Sequence, residues 1–322
     1  MKLAIKATVC IPTYNGEPYL RNLLKMVFKQ ILPFKYEVLV IDSGSTDKTL
    51  KIIKEFPKVR LHQIPNTEFG HGKTRNLGAT MAHGEYVVYL SQDAVPANNR
   101  WLEYMLEPFL ISDAVFCVYG RQIPRPFADA TTKREVSGVF NALGADHSIV
   151  LQRKRSLITD KIAEPYLTFF SDVNSAIRKD YLLNKIPYRD VRYAEDQLLG
   201  SDVLENNYLK AYAPLGAVFH SNEYKLRDYF YRKFDENLGI YETIGILPSA
   251  RKRYHIKRVV ADTVRDFIFI IRDKDFSNKQ KLRLYPSSLM RNILKQRAAY
   301  IIAHDKLRKK YEFKYSLEAN KK

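Results

Sequence analysis

From Lys6 the chain alternates short β-branched runs with amphipathic segments, and this alternation restricts the fold more than any other feature. "KATVCIP", "YEVLVID", "VRLHQI", "EYVVYLS" and "AVFCVYG" read as strands. Between them lie four helical stretches. "EPYLRNLLKMVFKQI" places Leu20, Leu23, Leu24, Val27, Phe28 and Ile31 on one face, and "STDKTLKIIKEF" has Ser45 or Thr46 as its cap. "GKTRNLGATMAH" and "NNRWLEYMLEPFL" complete the series. Strands apolar along their whole length and separated by helices predict an α/β fold, a mostly parallel, Rossmann-like sheet flanked by helices. Ligands of such sheets bind at the carboxyl ends of the strands, so the polar residues that follow each strand are the candidates for chemistry.

After about Arg121 the pattern loosens into a turn-rich crossing followed by a helix. A helix from near Ala194 and an antiparallel-looking pair, "YLKAYAP" and "GAVFHS", come next, and from Tyr224 the reading is helical throughout. In "RVVADTVRDFIFIIR", Arg258, Asp262, Arg265 and Arg272 share one stripe; Val260, Val264, Phe267, Ile268 and Ile271 share the other. Residues 225–322 hold 25 Lys/Arg against 11 Asp/Glu, a net +14 of the chain's +18. That shift marks a boundary between a domain over 1–224 and a basic helical region over 225–322. Its charge fits a solvated surface or an anionic partner, and its apolar faces also suit homo-oligomer formation. Nucleic acid is not expected, because no helix-turn-helix, RNA-recognition or zinc pattern accompanies the charge.

Several classes drop out. A hydrophobic content of 46% excludes a disordered chain. No apolar run approaches the roughly 18 residues that span a bilayer. Cys10 and Cys117 sit inside apolar runs and are expected to be buried small hydrophobes, and the start "MKLAIKATVCIP" shows no signal peptide, which predicts a reducing cytoplasmic setting. "TEFGHGKTRNLGA" contains a Gly-Lys-Thr triplet, but five residues before Gly72 stands Thr67, so it is not a phosphate-cradling P-loop.

Polar clusters follow three strands, in "IPTYNGE", "VIDSGSTD" and "YLSQDA", and Glu195 and Asp196 open a later helix. Two strand-end aspartates, Asp42 and Asp93, on one sheet are more than turn residues require. "VCIPTYNGEPYL", "VLVIDSGSTDKT", "TRNLGA", "YLSQDA" and "YAEDQLLG" together resemble, in order and spacing, the inverting GT-A glycosyltransferases of family 2, over roughly residues 6–225. "FGHGKTRNLGA", "SQDA" before Pro96 and "GRQIPRPFAD" look most like bacterial rhamnosyltransferases of cell-wall and capsular polysaccharide synthesis.

The resemblance implies a nucleotide-sugar donor held by Thr13, Tyr14, Glu17, Asp42, Gln92 and Asp93, with Asp42 accepting from the base. It implies a divalent cation, Mg²⁺ or Mn²⁺, bridged to the diphosphate by Asp93 and met by His220, although Ser91 stands where a further acidic residue is common. Asp196 is the implied catalytic base, with Asp172 and Glu195 toward the acceptor. Arg75 and Asn76, read as starting a helix, would face the nucleotide or its diphosphate, unless Arg75 braces Asp93 or Asp42. The donor implied is dTDP-β-L-rhamnose and the acceptor a polyprenyl-diphosphate-linked glycan, which places the enzyme peripherally on the anionic inner face of the cell membrane. A UDP-hexose enzyme of the same fold, or a non-catalytic nucleotide- or nucleic-acid-binding protein, are the alternative readings.

Overall fold

A computed structural model describes residues 4–144, 146–154 and 169–316. Strand β1 (Ile5–Thr13) pairs in parallel with β2 (Lys35–Asp42) and with β4 (Tyr86–Leu90), and β2 pairs in parallel with β3 (Val59–Gln63). Helices α1 (Glu17–Phe28), α2 (Thr49–Lys54) and α3 (His71–Met81) make the crossovers. Leu20, Leu23, Leu24 and Val27 of α1 are buried, while Ile31 lies past the helix end and is 67% exposed. The residue at the N-terminal boundary of α2 is Lys48, and the side chain that accepts from its first N–H, Thr49 N at 2.9 Å, is Asp47 Oδ1, not that of Ser45 or Thr46.

The second half of the sheet is mixed rather than mostly parallel. Beyond the short β5 (Val95–Pro96), α4 (Trp101–Leu106), β6 (Val115–Ile123), α5 (Ala130–Leu143) and β7 (Val150–Gln152), strand β8 (Asn174–Arg178) enters antiparallel between β4 and β6. Sequence patterning misses β8 because it opens with Asn and Ser. Asn174 is nevertheless satisfied, accepting from Trp101 Nε1 at 3.0 Å and donating to Gly216 O at 2.7 Å. Two helices follow β8, α6 (Lys179–Asn184) and α7 (Glu195–Glu205). The expected pair "YLKAYAP" and "GAVFHS" is one strand, β9 (Leu209–Phe219), parallel to β6. Its Pro-Leu-Gly turn signal forms a bulge instead: the register jumps from Gly120↔Ala213 to Gln122↔Val218. Gly120 is needed there, since a Cβ would stand 2.0 Å from Gly216 O.

The strand order is β3-β2-β1-β4-β8-β6-β9-β5, with β7 on β9. Val9, Ile11, Leu23, Val40, Val88 and Trp101 lie in its apolar core, and Cys10 and Cys117 are buried free thiols. Two compact units emerge, one of 1–123, 139–191 and 195–220, the other of 124–138, 192–194 and 221–322. The helical unit thus takes in residues that lie far upstream of 225. The reason is charge: Arg134 pairs with the buried Asp266, and Lys133 with Asp273 and Asp275.

In the helical unit, α8 (Leu226–Ile244), α9 (Lys252–Arg272), α10 (Asn278–Ala303) and α11 (Asp305–Tyr315) follow one another. Phe230, Phe234, Leu238, Ala298, Ile301 and Ile302 form one small apolar cluster. Ala130, Ile270 and Phe276 form a second, and charged groups are buried beside them. Asp266 accepts from Thr131 Oγ1 (2.8 Å), Asn292 Nδ2 (2.8 Å) and Ser288 Oγ as well as from Arg134. Lys295 bridges Asp262 and Glu135 at 2.9 and 2.7 Å. On α9 the two stripes do not divide into a buried apolar and an exposed polar side. Asp262, Thr263 and Asp266 are buried, and Val260, Val264, Ile268 and Ile271 face outward.

Candidate active site

The loops after β1 and β2 are bound to each other. The backbone N–H of Asn15 donates to Ser45 Oγ (2.9 Å) and Asn15 Oδ1 accepts from Thr46 N (2.9 Å), with Asn15 held at φ 50°. Asp42, fully buried at the end of β2, accepts from Thr13 Oγ1 (3.1 Å), Ser45 Oγ (2.5 Å), Gly44 N (3.2 Å) and Ser45 N (3.0 Å). These donors take up the roughly four acceptor positions of a carboxylate. The structure therefore shows Asp42 as the cap of this turn, and its contact with a base rests on the resemblance. Glu17 likewise holds Lys48 at 2.8 Å, and Lys48 holds its carboxyl below the usual range.

Gln92, after β4, clamps the β1 loop: Oε1 accepts from Tyr14 N (2.9 Å) and Nε2 donates to Tyr14 O (3.0 Å). The clamp explains Gly16, where a Cβ would fall 2.5 Å from Gln92 Oε1. It leaves Tyr14 47% exposed beside the strand ends, with an aromatic ring on which a flat base can stack.

Pairing of β5 with β9 brings Asp93 to His220, with Oδ2 and Nε2 3.4 Å apart. Gln122 Nε2 donates to Ser171 Oγ (3.0 Å), so its Oε1 is the acceptor for His220 Nδ1 (2.9 Å). That fixes the Nδ1–H tautomer and aims the Nε2 lone pair at a carboxylate. Two acceptors so opposed call for a proton or a cation, and an N/O pair of this kind suits Mn²⁺ or Mg²⁺ that takes its other ligands from phosphate and water. Among the described residues no group of three or more His, Cys, Asp or Glu side chains comes together as a metal cage.

The third cluster is buried. Arg75 lies in the second turn of α3, not at the helix start, which is His71. It faces neither Asp93 nor Asp42 nor the donor loops. Its Nη1 donates to Glu195 Oε1 (2.5 Å) and its Nε stands 3.1 Å from Asp172 Oδ2 as an ion pair. Asn76 is also spent internally, clasping Tyr188 by Nδ2 to O (2.8 Å) and N to Oδ1 (3.0 Å). Gly72 admits that segment, for a Cβ there would lie 2.2 Å from Arg189 O. Asp172 Oδ1 accepts from Tyr188 Oη (2.7 Å) and Ser175 Oγ (2.6 Å). Tyr188, Ser175 and Gln122 carried no sequence signal of their own, apart from Gln122 inside "GRQIP".

Asp196, the second residue of α7, accepts from Gln197 N (2.8 Å), while Asp172 N donates to its Oδ2 at 3.4 Å. Ala194, just before the helix, sits at φ 60°, a left-handed conformation that costs a non-glycine residue about 1–2 kcal/mol. Three carboxyls thus share one guanidinium. Burial, then the charges of Glu195 and Asp172, push Asp196 up to about 8 against the pull of Arg75. Burial opposes ionisation of Glu195 too, but Arg75 and His71 outweigh it and hold it low. Asp172 is raised, by burial above all. A carboxyl poised near neutrality is equipped to move a proton.

Residues 8–183 match the family described as Glycosyl transferase family 2. An O-antigen chain rhamnosyltransferase of Salmonella typhimurium is 29% identical over 72% of this chain and 71% of its own length, and one of Salmonella anatum is 30% identical over 71% and 70%. Among solved structures, a mannosyltransferase of Pyrobaculum calidifontis in complex with GDP-Man and Mn²⁺ superposes with TM-score 0.55 at 20% identity, covering 99% of this chain and 78% of that one. S. aureus TarS 1-349 gives 0.50 at 20% identity, covering 96% and 91%. The mixed sheet with its flanking helices is a GT-A-like fold, and the chain belongs to glycosyl transferase family 2 as a glycosyltransferase.

Proposed function

We propose that the protein transfers L-rhamnose from dTDP-β-L-rhamnose to a lipid-linked glycan, with inversion, and that Asp196 is the base. The observation that carries the mechanism is the setting of Asp196, a partly buried carboxyl between the buried Asp172 and Glu195 at the start of a helix. The acceptor hydroxyl gives its proton to the Asp196 carboxylate as its oxygen bonds to the anomeric carbon. The bond from that carbon to the diphosphate breaks on the opposite side, and the nucleoside diphosphate leaves with the electron pair. Thr13, Tyr14, Glu17, Asp42 and Gln92 shape the nucleotide end. Asp93 and His220 would hold a divalent cation, which supplies positive charge to the departing diphosphate.

Rhamnose is favoured by the two rhamnosyltransferase relatives, which match this chain over more than two thirds of their length. Arg75 is a positioning residue in this scheme, setting the charge felt by Asp196. The purified protein, given a panel of nucleotide sugars and a rhamnoside or lipid acceptor with and without EDTA, is expected to turn over dTDP-rhamnose and to slow when metal is removed. Turnover of a UDP-sugar in place of dTDP-rhamnose would overturn the donor.

A further inference from the structure

The outward sides of α9 and α10 carry a run of exposed apolar side chains. Successive helical residues turn by about 100°. The buried His255, Asp262, Asp266 and Ile270 of α9 therefore fall in one sector, and Ile256, Val260, Val264, Ile268 and Ile271 fall opposite, 44–64% exposed. On α10, Leu282, Leu289, Met290 and Ile293 share a sector and are 39–71% exposed. Phe267 and Tyr285, in edge contact at 4.7 Å between ring centroids, join the two rows. A helix that turns two aspartates inward and five aliphatic side chains outward is arranged for a neighbour less polar than water.

Charge identifies that neighbour. The acidic residues between 252 and 303 are Asp262, Asp266, Asp273 and Asp275. The first two are buried, and the others are held by Lys133. Lys257, Arg258, Arg265 and Arg272 border the apolar row on α9, and Arg258 and Arg265 reach Asp262 only at the edge, at 3.6 and 3.2 Å. The face is thus apolar at its centre and cationic at its rim. A second copy docked through it would set these cations against their own kind, whereas an anionic lipid surface complements both features. Among the described residues no helix is long and apolar enough to cross a membrane.

We propose that the α9–α10 face lies on an anionic bilayer surface, its aliphatic row in the headgroup boundary and its lysine and arginines on lipid phosphates. The inference deepens the transferase reading by holding the enzyme where a lipid-linked acceptor resides. Its test uses neither donor nor acceptor, so either can fail without the other. The full chain is sedimented with phosphatidylcholine vesicles, with and without phosphatidylglycerol, at low and high salt. It should bind only vesicles containing phosphatidylglycerol, more weakly at high salt, and Val260→Glu/Val264→Glu and Lys257→Glu/Arg272→Glu should each lose about tenfold or more. Because Cys10 and Cys117 are fully buried, Val264→Cys can be labelled selectively with an environment-sensitive dye, whose emission should move to the blue when those vesicles are added. Failure to bind them at low salt overturns the proposal, as does equal binding by both charge variants. So does a dimer whose dye is already blue-shifted without vesicles, since a second copy would then cover the face.

Discussion

In the sheet unit Asp172, Glu195 and Asp196 crowd around one cation, Arg75; in the helical unit the carboxylates have partners to spare. Asp262 meets Lys295, Arg258 and Arg265, Glu135 meets Lys295 and Lys233, and Asp266 meets Arg134 and three neutral donors. Burial raises Asp196 to about 8, whereas burial of Glu135 is outweighed by Lys233 and Lys295, which bring it down to about 2. A partly buried carboxyl short of partners is reactive, and one fully paired is structural. The same contrast applies to apolar groups. The sheet unit buries them in one large core and concentrates its function in polar strand ends; the helical unit has two small apolar clusters, buries charge beside them and leaves an apolar face outside.

The contrast can be broken at either end. Asp196→Asn should lower kcat by about 10²- to 10⁴-fold, the usual worth of a positioned base, while donor affinity measured by calorimetry stays near wild type. Retained turnover would remove the functional half. Asp266→Ala, which strands Arg134 and three neutral donors, should cost about 3–5 kcal/mol by thermal or chemical denaturation. A loss of under about 1 kcal/mol would mean that the charged interior is not what holds these helices together.

The pH dependence has opposite signs at Glu135 and at Asp196. The folded value of Glu135 lies below its unfolded 4.5, so its contribution is present above that value and is lost as the pH falls toward about 2. Asp196 has a folded value above its unfolded 3.8, so folding binds a proton there and stability falls as the pH rises toward about 8. Hydrogen exchange resolved by segment should show the amides around Glu135 in α5 losing protection as the pH falls toward about 2. The smallest effect expected is at Ala194→Gly, which should gain about 1 kcal/mol by relieving the left-handed backbone.

The order of strands and helices up to β4 was legible because a residue period of two or of 3.6 is local. β8 was not, since its polar Asn174 and Ser175 are paid for by partners far along the chain. The strand-end residues were legible as a set, yet the partner of Arg75 was not: a sequence displays a cation, and only the packing of α3 against α7 and the 188–190 segment decides which carboxylates it meets. Likewise α9 displays two stripes, and without Arg134, Thr131 and Asn292 in place the apolar one reads as the buried one.

The measurement closest to the central claim is kcat/KM for transfer as a function of pH, because this ratio reports the ionisation of the free enzyme. If the carboxyl cluster holds the base, kcat/KM rises with pH and levels off above about 8, as Asp196 gives up its proton. A profile flat through that range, or the same rise in Asp196→Asn, would contradict the assignment.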